Sequence, residues 1–210
     1  MTTVKHPVRG PVNAAIFRTL DGYAHRLWGE RKRRLFADLP GTVVEIGAGT
    51  GANMRYYRPG TKVIAVEPSP YMHKALLAEA RRRNVAVEIR AEGAERMSLP
   101  DGFADAVVCT LVLCTVPDPA AAIREVGRIL RPGGRLVFIE HVQDQEHAGY
   151  VVTQRIAARP WRWLFEGCDV RRDTEAALRA GGFTEVGVER YRLRSVFLPI
   201  NTQIAGVATK

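Results

Sequence analysis

The stretch that most restricts this chain is a β-branched run, Val43–Ile46, that breaks into Gly47-Ala48-Gly49-Thr50-Gly51. The apolar half suits a buried strand. The glycine half suits a sharp turn whose backbone approaches a ligand with no Cβ in the way. In an open parallel sheet, ligands bind outside the C-terminal ends of the strands. One short segment therefore points to both a sheet type and a site.

Beyond the turn, the pattern alternates. Thr50–Tyr57 reads as a helix starting at the turn, Lys62–Val66 as a second strand, and Ser69–Arg83 as a helix with Ala75, Leu76 and Ala80 in its apolar stripe. Val85–Arg90 is a third strand, Ala106–Val112 a fourth, Pro119–Leu130 a helix, and Arg135–Glu140 a fifth strand after Pro132-Gly133-Gly134. Strands alternating with helices predict a parallel sheet covered on both faces. Upstream, Asn13–Leu39 has helical periodicity, with Gly22 and Gly29 expected to divide it and Pro40-Gly41 to end it. Downstream, Gln143–Asp169 carries little pattern, Asp173–Ala180 reads as helix, and Glu185–Arg192 and Gln203–Ala208 read as terminal strands. Residues 1–40 thus form a helical extension able to act as a lid, and 41–210 the main domain.

With 210 residues, 46% of them hydrophobic, the chain can bury one substantial core. Met1–Val12 has no apolar core and is interrupted by Pro7 and Pro11, so no targeting segment is expected. Val107–Val116 is too short to span a bilayer. The three cysteines, Cys109, Cys114 and Cys168, form no CxxC pair, and their odd number argues against a disulfide framework. Reduced thiols in the cytoplasm are expected. No metal is expected either, because structural zinc needs a fourth soft ligand at matched spacing. The net charge of +9 raises nucleic acid or anionic lipid as partners. Its arginine clusters, Arg31–Arg34 and Arg81–Arg83, lie within predicted helices without an aromatic–basic platform, so nucleic-acid binding is not expected. Peripheral membrane contact is kept as an alternative.

The glycine turn also satisfies G-x-G-x-x-G/A, which keeps a dinucleotide cofactor and an NAD-dependent oxidoreductase in view. Glu67, at the end of the second strand and eighteen residues after Gly49, can accept hydrogen bonds from both hydroxyls of an adenosine ribose. Glu45 separates the cofactors. A buried acid two residues before the turn is unfavourable beside a pyrophosphate, but can anchor the loop or approach an amino group.

At the blocks VVEIGAGTGAN, VIAVEPSPYM, GAERMSLPDGFADAVVCTLVLCTV and EVGRILRPGGRLVFIEHV the chain resembles the Rossmann-like S-adenosylmethionine-dependent methyltransferases, over Val43 to about Val142. The resemblance implies a three-layer α/β sandwich around a mostly parallel seven-stranded sheet with an antiparallel C-terminal strand. It implies S-adenosyl-L-methionine as cofactor and S-adenosyl-L-homocysteine as product. Gly47, Ala48 and Gly49 would pass against the methionine portion, and Glu67 would hold the ribose. Pro68 and Met72 would pack on the adenine, Ala94 and Glu95 would meet its edge, and Thr110 and Leu111 would floor the methionine side. Many relatives carry aspartate where this chain has Gly93, and Glu95 is the substitute expected for it.

CTLVLCTV, IEHV, PWRWLFEGC and IAGVATK are further similar to methyltransferase-like proteins whose animal members are alkyl-thiol S-methyltransferases held at intracellular membranes by an N-terminal anchor. No such anchor is read here. The acceptor is therefore expected to be a small thiol. Phospholipid or small-amine N-methylation, and cofactor binding without transfer, are the alternatives. A thiol, with a free pKa of about 8.5, needs little help to ionise and no dedicated catalytic dyad; carbon or hydroxyl acceptors call for a general base. His141, directly after strand five, is the candidate base or acceptor orienter, and Tyr23 a candidate cap from the N-terminal helix. Trp161, Trp163 and Phe165 can roof an apolar pocket. Cys109 and Cys114 read as inert core thiols, and His6, His25, His73 and His147 as surface or packing residues.

Overall fold

The computed structural model describes residues 6–210. The first five residues of Met1–Val12, where no targeting segment is expected, lie outside the described residues. Seven strands form one sheet: β1 (Thr42–Ile46), β2 (Lys62–Val66), β3 (Ala86–Arg90), β4 (Ala104–Thr110), β5 (Leu130–His141), β6 (Glu185–Arg192) and β7 (Thr202–Thr209). Their order is β3-β2-β1-β4-β5-β7-β6. The first five pair in parallel, and β7 runs antiparallel to both β5 and β6. The expected sheet is the one observed.

The helices are α1 (Arg9–Phe36), α2 (Pro70–Arg83), α3 (Pro119–Ile129), α4 (Ala148–Leu164) and α5 (Thr174–Arg179). Two carry side-chain caps that satisfy an orphan amide: Asp118 accepts from Ala121 N on α3, and Asp173 from Ala176 N on α5. β1 and β2 are buried along all but their first residue, as expected of strands covered on both faces. One core joins Val44, Ile64, Val107, Phe138 and Ile123, another joins Val43, Val63, Val108, Leu76 and Phe36, and a third is centred on Trp28, Ile139 and Val170.

Three local expectations are corrected. Gly22 and Gly29 do not divide α1, which runs unbroken for 28 residues. A helical glycine costs only about 1 kcal/mol relative to alanine, and Gly29 leaves room for the His25 ring of the same helix and for the Tyr56 hydroxyl. Thr50–Tyr57 forms only a 3-10 turn at Met54–Tyr56, since Asn53 and Tyr57 direct their side chains to Glu45 instead. The weakly patterned Gln143–Asp169 contains the 17-residue α4. Its pattern is hard to read because it buries Gln154 and exposes Val152, Ile156 and Trp163. Gln154 explains the inversion: it donates to Val142 O and Pro199 O and accepts from Asp144 N, tying α4 to the chain on either side.

The strand order reverses between β1 and β4. In such sheets the crevice outside the strand C-termini at this reversal is the ligand site, and it lies between the glycine turn and Thr110.

Candidate active site at the ends of β1, β2 and β4

The glycine turn continues the sheet before it leaves it, with Gly47 N donating to Val66 O at 2.8 Å. Gly47 and Gly49 both sit in the left-handed region, at φ +62° and +54°. Any Cβ on Gly47 would collide with Val112 in the loop after β4, whereas a Cβ on Gly49 would meet nothing closer than Gly47 O at 3.9 Å. One glycine lets two loops touch, and the other leaves an open backbone face. Ala48 between them is buried.

Glu67 closes the second side. Its Oε2 accepts from Gly49 N and its Oε1 from Ser69 N, both at 2.8 Å. Burial pushes its pKa up, against the pull of those amides and of His73. A carboxylate offers about four lone-pair positions, so the two amides fix its orientation and leave acceptor capacity for a diol. Pro68 follows directly, and Met72 on α2 is fully buried behind it.

On the third side, Ala94 is buried and Glu95 is partly exposed. Glu95 Oε2 lies 2.8 Å from the point a Cβ on residue 93 would occupy. Its carboxylate fills the space an aspartate at 93 would take, so Gly93 and Glu95 form a matched pair. At the end of β4, Thr110 Oγ1 accepts from Asn53 Nδ2 at 2.9 Å, and Leu111 adopts φ +59°, a strained setting for a branched residue.

Glu45 anchors the loop; both its oxygens are engaged, Oε1 by Asn53 Nδ2 and Oε2 by the Tyr57 hydroxyl, at 2.8 Å each. Asn53 Oδ1 in turn accepts from Lys32 Nζ of α1 at 2.6 Å. Burial raises the Glu45 pKa to about 7 and lowers that of Lys32 to about 8. Sequence reasoning missed Lys32, Asn53 and Tyr57; their polar types at helix-like positions were the only signal.

The Glu45 shift fixes a pH dependence. From pH 4.5 to about 7 the unfolded chain releases this proton while the folded chain keeps it, so stability falls as pH rises through that window. Glu45→Gln should flatten the fall by up to about 3 kcal/mol, as measured by urea denaturation at pH 5 and pH 8. An unchanged slope would show that Glu45 is ionised in the fold.

Above the crevice, α1 meets the end of α4. Gly10 packs against the Tyr71 ring, leaving no room for a Cβ. Arg9 donates to Trp163 O and stacks on its ring. Phe17 faces Phe165, which packs on Trp161 at 4.3 Å between centroids. Glu166, at φ +50°, is pushed up to about 7 by burial and by the charge of Glu67. The Tyr23 hydroxyl accepts from Val196 N, and its ring meets Phe197 edge-on. Trp161 contacts the same Phe197.

His141 is not presented to open space. It is 2% exposed, and its Nε2 lies 2.9 Å from Cys168 Sγ, while its Nδ1 has no partner among the described residues. Cys168 Sγ also receives the Trp161 indole N–H at 3.3 Å and lies 3.7 Å from Cys114 Sγ. Cys114, read from the sequence as an inert core thiol, is buried and belongs to a three-residue group. Cys109 lies apart from that group, bonded to Glu140.

A methyltransferase domain model matches residues 44–138. The chain is 36% identical to thiol S-methyltransferase TMT1B of Rattus norvegicus over 206 residues, covering 93% of this chain and 84% of that protein. It is 34% identical to thiol S-methyltransferase TMT1A of Homo sapiens over 191 residues, covering 86% and 78%. Among solved structures, geranyl diphosphate C-methyltransferase of Streptomyces coelicolor, in complex with S-adenosyl-L-homocysteine, superposes with a TM-score of 0.67 at 18% identity, covering 88% of this chain and 79% of that one.

Proposed function

The chain belongs to the methyltransferase family that includes these thiol S-methyltransferases, and we propose that this S-adenosyl-L-methionine-dependent enzyme methylates a small, apolar thiol. The observation that carries the acceptor is the similarity along nearly the whole chain to two proteins so named.

The residues present fit the cofactor. Glu67 is pre-aligned by two backbone amides and Gly49 is open above it. In this reading Gly47, Ala48 and Gly49 pass against the methionine portion and Glu67 holds the ribose hydroxyls. Pro68 and Met72 bound the adenine, Ala94 and Glu95 meet its edge, and Thr110 and Leu111 floor the methionine side. When bound, S-adenosyl-L-methionine supplies a methyl on a sulfonium for in-line displacement, leaving S-adenosyl-L-homocysteine.

The chain's own task is to hold the acceptor in line and dry, and such orientation supplies about 7–11 kcal/mol. Leu111, Trp161 and Phe197 belong to one apolar cluster suited to that wall. Within the 1–40 extension, α1 acts as the lid over the domain formed by 41–210, through Gly10 on Tyr71 and Arg9 on Trp163. Tyr23 positions Phe197. His141 serves as an orienter on the acceptor side, since its Nε2 is engaged by sulfur. The three free cysteines suit a reducing, cytoplasmic setting.

A second reading, methylation of a phospholipid amine, is favoured by one surface. Val152, Ile156, Arg159 and Trp163 lie on a single exposed stripe of α4, apolar residues beside a cation. No helix among the described residues is long and apolar enough to cross a membrane. A radiolabelled-methyl assay with alkyl thiols in one arm and phosphatidylethanolamine vesicles in the other separates the readings. Thiol-dependent transfer is expected, and transfer confined to the vesicles would replace the first reading by the second.

A further inference from the structure

The Cys114, His141 and Cys168 group lies where β4 and β5 end. The three ligand atoms fall within 4.8 Å of one another, and all three residues are buried. We propose that they form a binding site for a soft divalent metal ion of the zinc class.

The distances match a metal-spanned pair of thiols and exclude a closed disulfide. Two Zn–S bonds of about 2.3 Å at a tetrahedral angle set their sulfurs about 3.8 Å apart. The observed Cys114–Cys168 separation is 3.7 Å, whereas a disulfide closes to about 2.05 Å. The sulfurs already span a tetrahedral edge. A Zn–N bond near 2.05 Å requires about 3.5 Å from nitrogen to sulfur, so His141 Nε2 moves back by roughly 0.6 Å.

Charge agrees. Two thiolates and a neutral imidazole cancel a divalent cation, which removes the main cost of burying any one of them. The Trp161 indole N–H aimed at Cys168 Sγ is the kind of outer contact that steadies a metal-bound thiolate. The ligands are also held before any ion arrives. Asp169 N donates to Cys114 O at 2.9 Å, Arg172 Nη1 to Val116 O at 2.7 Å, and Glu140 accepts from the amides of Val112 and Leu113. No further Cys, His, Asp or Glu joins the group among the described residues. The fourth tetrahedral position is thus left to water or another small ligand, as in open three-ligand sites.

The test titrates the reduced, chelator-treated full chain with Zn2+ and with Co2+. One equivalent should bind, Co2+ should give intense thiolate charge-transfer and tetrahedral visible bands, and Zn2+ should raise Tm. Cys114→Ser and Cys168→Ser should each weaken binding roughly ten-fold or more, while Cys109→Ala, outside the group, should retain it. The wild-type titration decides alone if the serine variants fail to fold. A folded, reduced wild-type chain that binds less than about a tenth of an equivalent at micromolar free Zn2+ overturns the proposal. So does isolation of a Cys114–Cys168 disulfide whose reduced form takes up no metal, which would make the pair a redox couple.

Discussion

Glu67→Ala is expected to weaken S-adenosyl-L-methionine binding by roughly 100- to 10,000-fold. The estimate assumes two ribose hydroxyls donating to a charged acceptor, each bond contributing about 1.5–3 kcal/mol. The carboxylate is an effective acceptor because Gly49 N and Ser69 N already fix it, so little order is lost on binding. Those same amides lose a partner in the variant, so some stability loss accompanies the affinity loss. Calorimetric titration below the variant's own Tm separates the two effects, and Glu67→Gln, which keeps an acceptor oxygen, should fall between wild type and alanine. Wild-type affinity in a folded Glu67→Ala variant would remove Glu67 from the site.

The second large effect is expected at Glu140. This side chain is fully buried, and its Oε1 accepts from Val112 N at 2.8 Å, Leu113 N at 3.1 Å and Cys109 Sγ at 3.2 Å. Burial pushes its pKa up, against those amides. Alanine leaves the buried Leu113 N–H and the partly buried Val112 N–H without acceptors, at up to about 1–3 kcal/mol each. The sum is a large part of the 5–15 kcal/mol that holds a typical domain together. Glu140→Gln preserves the acceptor oxygen without the buried carboxylate and should cost far less. Urea midpoints of the two variants make the comparison, and equal stability would show that the amides find other partners. Because this turn touches Gly47 and leads into Cys114, its loss should also lower cofactor affinity in any Glu140→Ala protein that folds.

The sequence made some of this architecture readable for a local reason. β1, β2 and β4 are short apolar runs closed by turn residues, and being buried on both faces they need no long-range information to be recognised. The glycine turn and Glu67 were legible because both follow directly from strand ends, where position implies the crevice. Other features depend on distant segments. α1 stays whole across two glycines because Trp28 reaches Gln203 and Phe36 enters the core. α4 is hidden because it faces the protein with Gln154 and solvent with Ile156. Lys32–Asn53–Glu45–Tyr57 joins a helix, a turn and a strand. Cys114, His141 and Cys168 meet only because β4 and β5 are neighbours and the chain after α4 returns to them. Spacing in the sequence carries no trace of either group.

The central claim, methyl transfer to a thiol, is tested most directly by competition in a single reaction. An alkyl thiol, a small amine and a phosphatidylethanolamine vesicle are offered together with methyl-deuterated S-adenosyl-L-methionine, and the products are resolved by mass spectrometry. The account predicts a deuteriomethyl thioether as the dominant product, with S-adenosyl-L-homocysteine in equal amount. A labelled amine or lipid with no thioether, or tight cofactor binding with no transfer to any acceptor, would contradict it.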